Sequence, residues 1–200
     1  MQRIGRVARL QVQAERLKMS VGRGQRYDPG PLVSVPELAL DGMGVVGRSA
    51  WGDDVPDVHH PAHPLSRFRG QNGISVGFTS HYTKMRERFG NHLTDGIAGE
   101  NILIETNVVL HEAELQAGLV LETLDGRGVL LSEVQVATPC VPFTRYALHH
   151  PPEAAPDRTI TESLQFLNGG MRGFYLALQG DPAVITVGTP VYLVSDDAPI

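Results

Sequence analysis

LVLETLDGRGVLLSEVQVATPC, residues 119–140, is the stretch on which the fold turns. Leu119–Leu124 and Gly128–Thr138 read as two strands, because their apolar side chains recur at close to the two-residue period of a half-buried strand. Asp125-Gly126-Arg127-Gly128 supplies the hairpin turn between them. The second strand runs out at Thr138-Pro139-Cys140-Val141-Pro142, so the only cysteine of the 200 residues falls between two prolines.

Working toward the N-terminus, Ile102–Glu105 and Ile74–Thr79 read as further strands. Ser80 can cap a short helix whose Tyr82, Met85 and Phe89 share one face and whose Lys84, Glu87 and Arg88 face water, with Gly90 as its stop. Gly42–Gly70 holds five Gly, three Pro and three His without a sustained period, and is expected to be a long surface loop that serves a site. Leu32–Leu40 reads as a strand, and Gly5–Lys18, with Val7, Leu10, Val12 and Ala14 on the apolar side, as an opening strand with an irregular step.

Toward the C-terminus, the prolines of His149–Asp157 break the pattern. Thr159-x-x-Glu162 predicts a capping box for a helix near 160–168, ended by Asn168-Gly169-Gly170. Ala183–Val194 is a last strand interrupted at Gly188-Thr189-Pro190. About seven strands and two short helices, with no long helical period, predict a mainly β structure. A closed or nearly closed barrel is favoured because closure removes exposed edges. The length and apolar content suit one domain, 1–200.

A formal net charge of −5 argues against a broad nucleic-acid or membrane surface, while leaving room for a local arginine cluster that holds a small anion. No apolar run approaches a bilayer span. Arg3, Arg6 and Arg9 have no apolar stretch behind them, so the N-terminus does not read as a secretory signal, and a reduced, cytoplasmic setting is the expectation. A lone Cys140 cannot form a disulfide within the chain. Its functional options are nucleophile, sulfur carrier or metal ligand, and the alternative is a small buried hydrophobe. Arg172 and Arg145 are the candidates to stabilise its thiolate.

Gly99-Glu100-Asn101 reads as a turn opening a strand, compatible with forming one wall of a pocket. Arg172, after the Gly169-Gly170 break, has the planar fork to pair with a phosphate. His59-His60-x-x-His63 invites a zinc reading, but Pro61 prevents His59 and His63 from sharing a helical face and no Glu stands between them. A loop histidine with Arg67 lining an anion pocket is the better assignment.

Taken in order, Gly42-Met43-Gly44-Val45-Val46-Gly47 before the His-rich loop, Gly99-Glu100-Asn101-Ile102, Pro139-Cys140, Gly170-Met171-Arg172-Gly173-Phe174-Tyr175 and Val184-x-x-Val187-Gly188-x-x-Val191 resemble the MOSC domain, named for the C-terminal part of molybdenum cofactor sulfurases. The resemblance runs over nearly the whole chain. It departs from the usual family pattern at Arg48, at Ala137-Thr138 and at Thr189. It implies a MOSC-like β-barrel, and molybdenum cofactor (molybdopterin) binding by a stand-alone member. Cys140 is then the molybdenum ligand or a persulfide carrier, and Arg172, Asn101, Glu100, Thr138, His60 and Arg67 shape the cofactor pocket. Some relatives reduce N-hydroxylated small molecules, which requires an electron-donor protein. The alternative is a non-catalytic sulfur or cofactor carrier served by a sulfur-donor protein. Pyridoxal phosphate belongs to the sulfurase domain of other relatives, and no site for it is assigned here. These readings predict that Arg172, Asn101 and at least one of His60 or Arg67 converge with Cys140 around one cleft.

Overall fold

A computed structural model of the chain describes residues 1–22 and 24–195. The elements run, in order, β1 (Gln2–Gln13), β2 (Lys18–Val21), β3 (Gly24–Tyr27), β4 (Leu32–Ser34), β5 (Glu37–Asp41), β6 (Gly44–Arg48), β7 (Asp54–Pro56), β8 (Ile74–Phe78), α1 (Thr79–Phe89), β9 (Ile102–Glu105), α2 (Glu112–Leu115), β10 (Leu119–Glu122), β11 (Gly128–Val136), α3 (Val141–Ala147), α4 (Arg158–Leu167), β12 (Phe174–Gln179), β13 (Ala183–Thr186) and β14 (Pro190–Leu193). The main sheet has the order β14-β10-β11-β12-β8-β9-β1-β4 and closes through an additional β14–β1 pairing. Seven strands therefore form a closed barrel, with β4 appended to β1. A four-stranded sheet, β13-β5-β6-β7, and the β2–β3 ribbon lie outside it.

The residue 119–140 stretch behaves as its period demands. Leu119 faces Leu131 and Leu121 faces Val129 across the β10–β11 hairpin, and all four are buried in the barrel. Thr123 N donates to the Arg127 carbonyl at 2.9 Å to shut the turn. The irregular step foreseen in β1 is a register shift between Val7 and Arg9, which keeps Val7, Leu10 and Val12 in the core. In β9 the period sorts side chains into two cores. Ile102 and Ile104 enter the barrel, while Leu103 points outward into a second cluster with Tyr27, Tyr82, Met85, Phe143 and Leu167. That second cluster seals α1, α3 and α4 to the outside of the barrel. Its burial stabilises the helices that carry the site, at about 1.5–3 kcal/mol per large apolar side chain.

Several sequence expectations need correction. Gly42–Gly70 is not one loop, since β6 pairs with β5 from Glu37↔Arg48 to Asp41↔Gly44 and with β7 at Val46↔Pro56. Its glycines hid the strand for a packing reason. A Cβ on Gly47 would stand 3.0 Å from methyls of both Val12 and Val35, so a larger residue here would have to push those side chains aside. Leu32–Leu40 is two strands broken at Val35-Pro36, because a proline cannot donate to the ladder. α1 begins two residues early, with Phe78 at the N-cap; Ser80 instead donates from Oγ to the Val108 carbonyl at 2.7 Å. α4 is capped by Asp157, whose side chain accepts from Ile160 N at 2.8 Å, rather than by Thr159. α2, α3, the β2–β3 ribbon and β12 were not anticipated. α3 is the informative omission. Pro142 lies in its first turn, where a missing N–H is harmless, so the prolines around Cys140 start a helix as well as end a strand. Among the described residues no helix is long and apolar enough to cross a membrane.

Candidate functional site

The floor of the site is the turn into β9. Asn101 is buried and its carboxamide is fully engaged: Oδ1 accepts from Ser75 N at 3.0 Å and from Ser75 Oγ at 2.7 Å, and Nδ2 donates to Asp57 Oδ2 at 2.9 Å and to the Gln11 carbonyl at 3.3 Å. It staples β8, β1 and the segment after β7 together from inside and leaves no donor for a ligand. Glu100 is also buried, and Tyr82 of α1 donates its hydroxyl across both carboxylate oxygens, at 2.7 and 3.0 Å. The Tyr82 oxygen in turn accepts from Ala98 N at 3.0 Å.

This carboxylate fits only because its neighbours lack side chains. A Cβ on Gly77 would lie 2.7 Å from Glu100 Oε1, and one on Gly173, where φ is +115°, would lie 2.7 Å from the Val76 carbonyl and 3.3 Å from Glu100 Cγ. Burial raises the Glu100 pKa, against the opposing pull of the Tyr82 hydrogen bond and of Arg172. Burial, together with the Glu100 charge, likewise pushes the Tyr82 hydroxyl well above its ordinary value.

Arg172, from the turn between α4 and β12, ties that floor to the segment before Cys140. Nη2 donates to the Ala98 carbonyl at 3.2 Å and Nη1 to the Thr138 carbonyl at 3.3 Å, and the guanidinium carbon stands 5.5 Å from the centre of the Phe143 ring. Nε is closed off from solvent and has no partner. Burial alone would lower the Arg172 pKa, yet the charges of Cys140, Tyr27, Tyr175 and Glu100 together raise it, so the guanidinium stays a cation. Cys140 is the N-cap residue of α3, is partly buried, and packs against the cluster that contains Tyr27 and Phe143. Its carbonyl accepts from Thr144 N and Thr144 Oγ1, both at 3.0 Å, which anchors the start of α3.

Beside these residues opens a cleft of about 550 Å³. Arg16, Lys18, Arg67, Arg69 and Arg172 all line it, with Tyr27, Thr138 and His59, and no carboxylate is among its lining residues. None of the five cations forms an ion pair with an Asp or Glu among the described residues. In a chain with a formal net charge of −5, this is a local reversal of sign.

Of the residues singled out from the sequence, Arg172, Arg67 and Thr138 thus meet at one cleft. Cys140 lies two residues beyond Thr138 but is not itself among the residues that line the cleft, so the expected convergence is met by Arg172 and Arg67 and not by Cys140 or Asn101. Asn101 and Glu100 sit beneath as bracing, with their polar atoms turned inward. His60 is turned away and pairs through Nε2 with Asp41 Oδ2 at 3.2 Å. His59 takes its place on the wall, with Nδ1 held by Asp57 Oδ1 at 2.9 Å. His63 is held by the Ala14 carbonyl at 2.9 Å, so the three histidines face three different partners. Sequence reasoning missed Arg16, Lys18 and Arg69. The available signal was spacing: Arg16-x-Lys18 and Arg67-x-Arg69 each put two cations at i and i+2, which share a face in extended chain.

A family model for the MOSC domain matches residues 66–192, a span that includes Arg67, Arg69, Glu100, Asn101, Cys140 and Arg172. Among solved structures, the YUAD protein from Bacillus subtilis has a TM-score of 0.54 at 12% identity, covering 94% of this chain and 93% of that one. YiiM from Geobacillus stearothermophilus has a TM-score of 0.52 at 16% identity, covering 95% of this chain and 75% of its own. At these identities the likeness concerns the fold. No curated protein matches the chain.

Proposed function

The chain belongs to the MOSC domain family, which is associated with the molybdenum cofactor, and we propose that the cationic cleft binds that cofactor with Cys140 as the molybdenum ligand. The observation that carries the reading is the convergence of Arg16, Lys18, Arg67, Arg69 and Arg172, without a carboxylate, in a cleft whose wall includes Thr138, two residues before the only thiol of the chain. The donor set suits the group. Guanidinium and ammonium donors pair with the phosphate of a pterin cofactor, and a thiolate is the kind of ligand that soft transition-metal sites take from protein. Arg172 Nε, buried and unpartnered, is one more N–H for an anionic or carbonyl oxygen. Asn101 and Glu100 act indirectly, by fixing the turn whose Ala98 carbonyl holds Arg172.

The bound cofactor supplies two-electron redox chemistry. The reaction we assign is reduction of an N-hydroxylated small molecule. Its N–O bond breaks, two electrons arrive from a separate electron-donor protein, and two protons complete the amine and a water. Cys140 would hold the metal, and the cations of the cleft would pair with the cofactor's anionic end. With only one cysteine, the chain carries no iron–sulfur cluster of the Cys-ligated kind, so the electrons come from a partner.

A second reading, a carrier in which Cys140 bears a persulfide for a sulfur-donor protein, is favoured by the same count. With no second thiol in the chain, a persulfide on Cys140 has no internal partner to discharge it.

The test is elemental analysis and persulfide labelling of protein purified from a host that makes the cofactor, wild type beside Cys140→Ser. The expected result is molybdenum near stoichiometry in wild type, and in the mutant a folded protein without it. A wild type devoid of molybdenum but loaded with persulfide selects the carrier. A mutant that melts much lower yet retains its molybdenum makes Cys140 a packing residue and overturns both readings.

A further inference from the structure

Of the histidines at positions 59, 60 and 63, two have no ring nitrogen to spare. His60 accepts from Ala62 N at Nδ1, 3.1 Å, and meets Asp41 Oδ2 at Nε2. His63 accepts from Leu65 N at Nδ1, 3.0 Å, and meets the Ala14 carbonyl at Nε2. Each of these rings is committed at both nitrogens, one accepting and one donating. His59 differs. Its backbone N–H and its Nδ1 both bond to Asp57 Oδ1, at 2.8 and 2.9 Å, while Nε2 has no partner among the described residues.

The carboxylate behind the ring decides which nitrogen is free. Asp57 is fully buried, and its second oxygen accepts from Gln13 N at 2.7 Å and from Asn101 Nδ2 at 2.9 Å. With two donors on each oxygen it acts only as an acceptor, so Nδ1 of His59 is the nitrogen that carries the hydrogen between them. Nε2 lies at the opposite edge of the ring, and the side chain, 22% exposed, lines the cationic cleft.

The charged groups around it come from several elements. Arg16 and Lys18 face the cleft from the segment after β1 and from β2, Arg67 and Arg69 from the loop before β8, and Arg172 from the turn before β12. Tyr27 of β3 and Tyr175 of β12 are the other ionisable side chains on its wall, and burial pushes the Tyr27 hydroxyl far above its ordinary value. Arginine, lysine and tyrosine ordinarily titrate at about pH 10 or above. Histidine is the one side-chain type on this wall that ordinarily changes charge near neutral pH.

We propose that the cleft takes up its anion together with a proton, which His59 binds at Nε2 and donates to the anion. The inference rests on the cleft being an anion site, as read above, and adds that its affinity is governed by pH. The five cations donate to an anion whether the solution is neutral or mildly acidic, whereas His59 becomes a sixth donor only when its ring is charged. In the neutral ring Nε2 is itself an acceptor, and it turns a lone pair toward the oxygens of the anion. The proton that converts it comes from solution, and Asp57 remains at the far edge of the ring as its counter-charge.

The test uses protein purified from a host that does not make the cofactor, titrated calorimetrically with sodium sulfate at one fixed ionic strength between pH 8 and pH 5.5. Sulfate stays a dianion throughout, so a change in its affinity belongs to the protein. Wild type is expected to bind it about tenfold more tightly at the acid end, the least that one added charge-assisted hydrogen bond is worth. It is also expected to take up a fraction of a proton per sulfate, read by repeating the titration in buffers of different ionisation enthalpy. His59→Gln keeps an amide N–H for Asp57 but does not titrate, and is expected to lose the proton uptake and most of the pH dependence. His60→Gln and His63→Gln, whose rings do not line the cleft, are expected to retain both. A measurement on the unaltered protein covers the case of a variant that does not fold: in the assigned NMR spectrum, the His59 ring signal is expected to titrate at higher pH once sulfate is added. Sulfate bound as tightly at pH 8 as at pH 5.5, proton uptake that survives His59→Gln, or a His59 signal indifferent to sulfate overturns the proposal and leaves the anion cleft standing. If sulfate binds at no pH, the cleft reading fails and this inference falls with it.

Discussion

His81 makes the structure sensitive to acid by an amount that can be worked out. It follows Ser80 in the first turn of α1, is 2% exposed, and has neither ring nitrogen hydrogen-bonded. Its ring is set against Phe78 at 5.2 Å and Phe174 at 6.3 Å. Burial lowers its pKa from 6.5 to about 4; the carbonyls of Leu110 and Gly170 oppose this, and the charge of His111 adds slightly to it. The folded state therefore keeps the ring neutral, while the unfolded chain takes up a proton below pH 6.5. The stability contributed by the neutral ring is present above pH 6.5 and is lost as the pH falls toward 4. At about 1.36 kcal/mol per pH unit, one unit below 6.5 costs about 1.4 kcal/mol and the whole window about 3 kcal/mol. For a chain of this size, the first of these lowers Tm by about 3–6 °C. The assay is urea unfolding at half-unit steps between pH 7.5 and 4, for wild type and His81→Phe. Phe changes the baseline through packing, but that offset does not depend on pH. Burial raises the folded pKa of Glu100, which acts with the opposite sign by favouring the folded state in acid; this is common to both proteins and cancels in their difference. The difference curve is expected to fall by about 3 kcal/mol from pH 7 to 4. Parallel curves would refute the reasoning.

Other substitutions probe the bracing of the site. Tyr82→Phe leaves the Glu100 carboxylate buried without its donor and should cost about 1–3 kcal/mol in urea unfolding; adding Glu100→Gln, which removes the charge, is expected to return part of it. Gly173→Ala must accommodate a Cβ against the Val76 carbonyl at φ +115°, with an expected loss of about 1–3 kcal/mol, measured by thermal unfolding. Arg172→Lys cannot span the Ala98 and Thr138 carbonyls with one ammonium. It should weaken phosphate binding by calorimetry and lower Tm, whereas an unchanged Tm would show that the clamp is dispensable. Arg69→Ala should reduce phosphate affinity without a change in Tm, with the loss shrinking as salt rises.

What could be read from the sequence follows the range of the forces involved. Ile102–Glu105 and the β10–β11 hairpin were legible because their period and turn are local. So was the register slip in β1, which showed itself as a broken alternation. β6 was lost because its glycine count reflects a contact with Val12 and Val35, residues far away in the chain. α3 was lost because a proline at a helix start and a proline at a strand end look alike in sequence. At the site, Arg172, Arg67 and Thr138 were identified and do meet. Asn101 and Glu100 were expected to present their side chains to a pocket, yet they turn inward. Their hydrogen-bond partners, Ser75, Asp57 and Tyr82, are 18 to 44 residues distant, and no local pattern reveals them. The cations at Arg16 and Lys18 reach the cleft only because β1 delivers its end to the loop that carries Arg67 and Arg69.

A buried carboxylate beneath an anion site looks self-defeating, and the geometry explains how it is tolerated. Glu100 is enclosed by Gly77, Gly173 and Tyr82, so its pKa rises and its negative charge becomes easier to neutralise, while the Tyr82 hydroxyl shields both oxygens on the side of α1. Its remaining field acts on Arg172, where it helps keep the guanidinium a cation in a place where burial works against charge. The carboxylate therefore works against an anion in the cleft only at a distance, and works for it at close range through the arginine. This division also explains why the five cations can converge without a carboxylate on the cleft wall. Their mutual repulsion is offset in part by a charge stored below the surface, out of reach of competing cations in solution, and is fully relieved only when an anionic ligand binds.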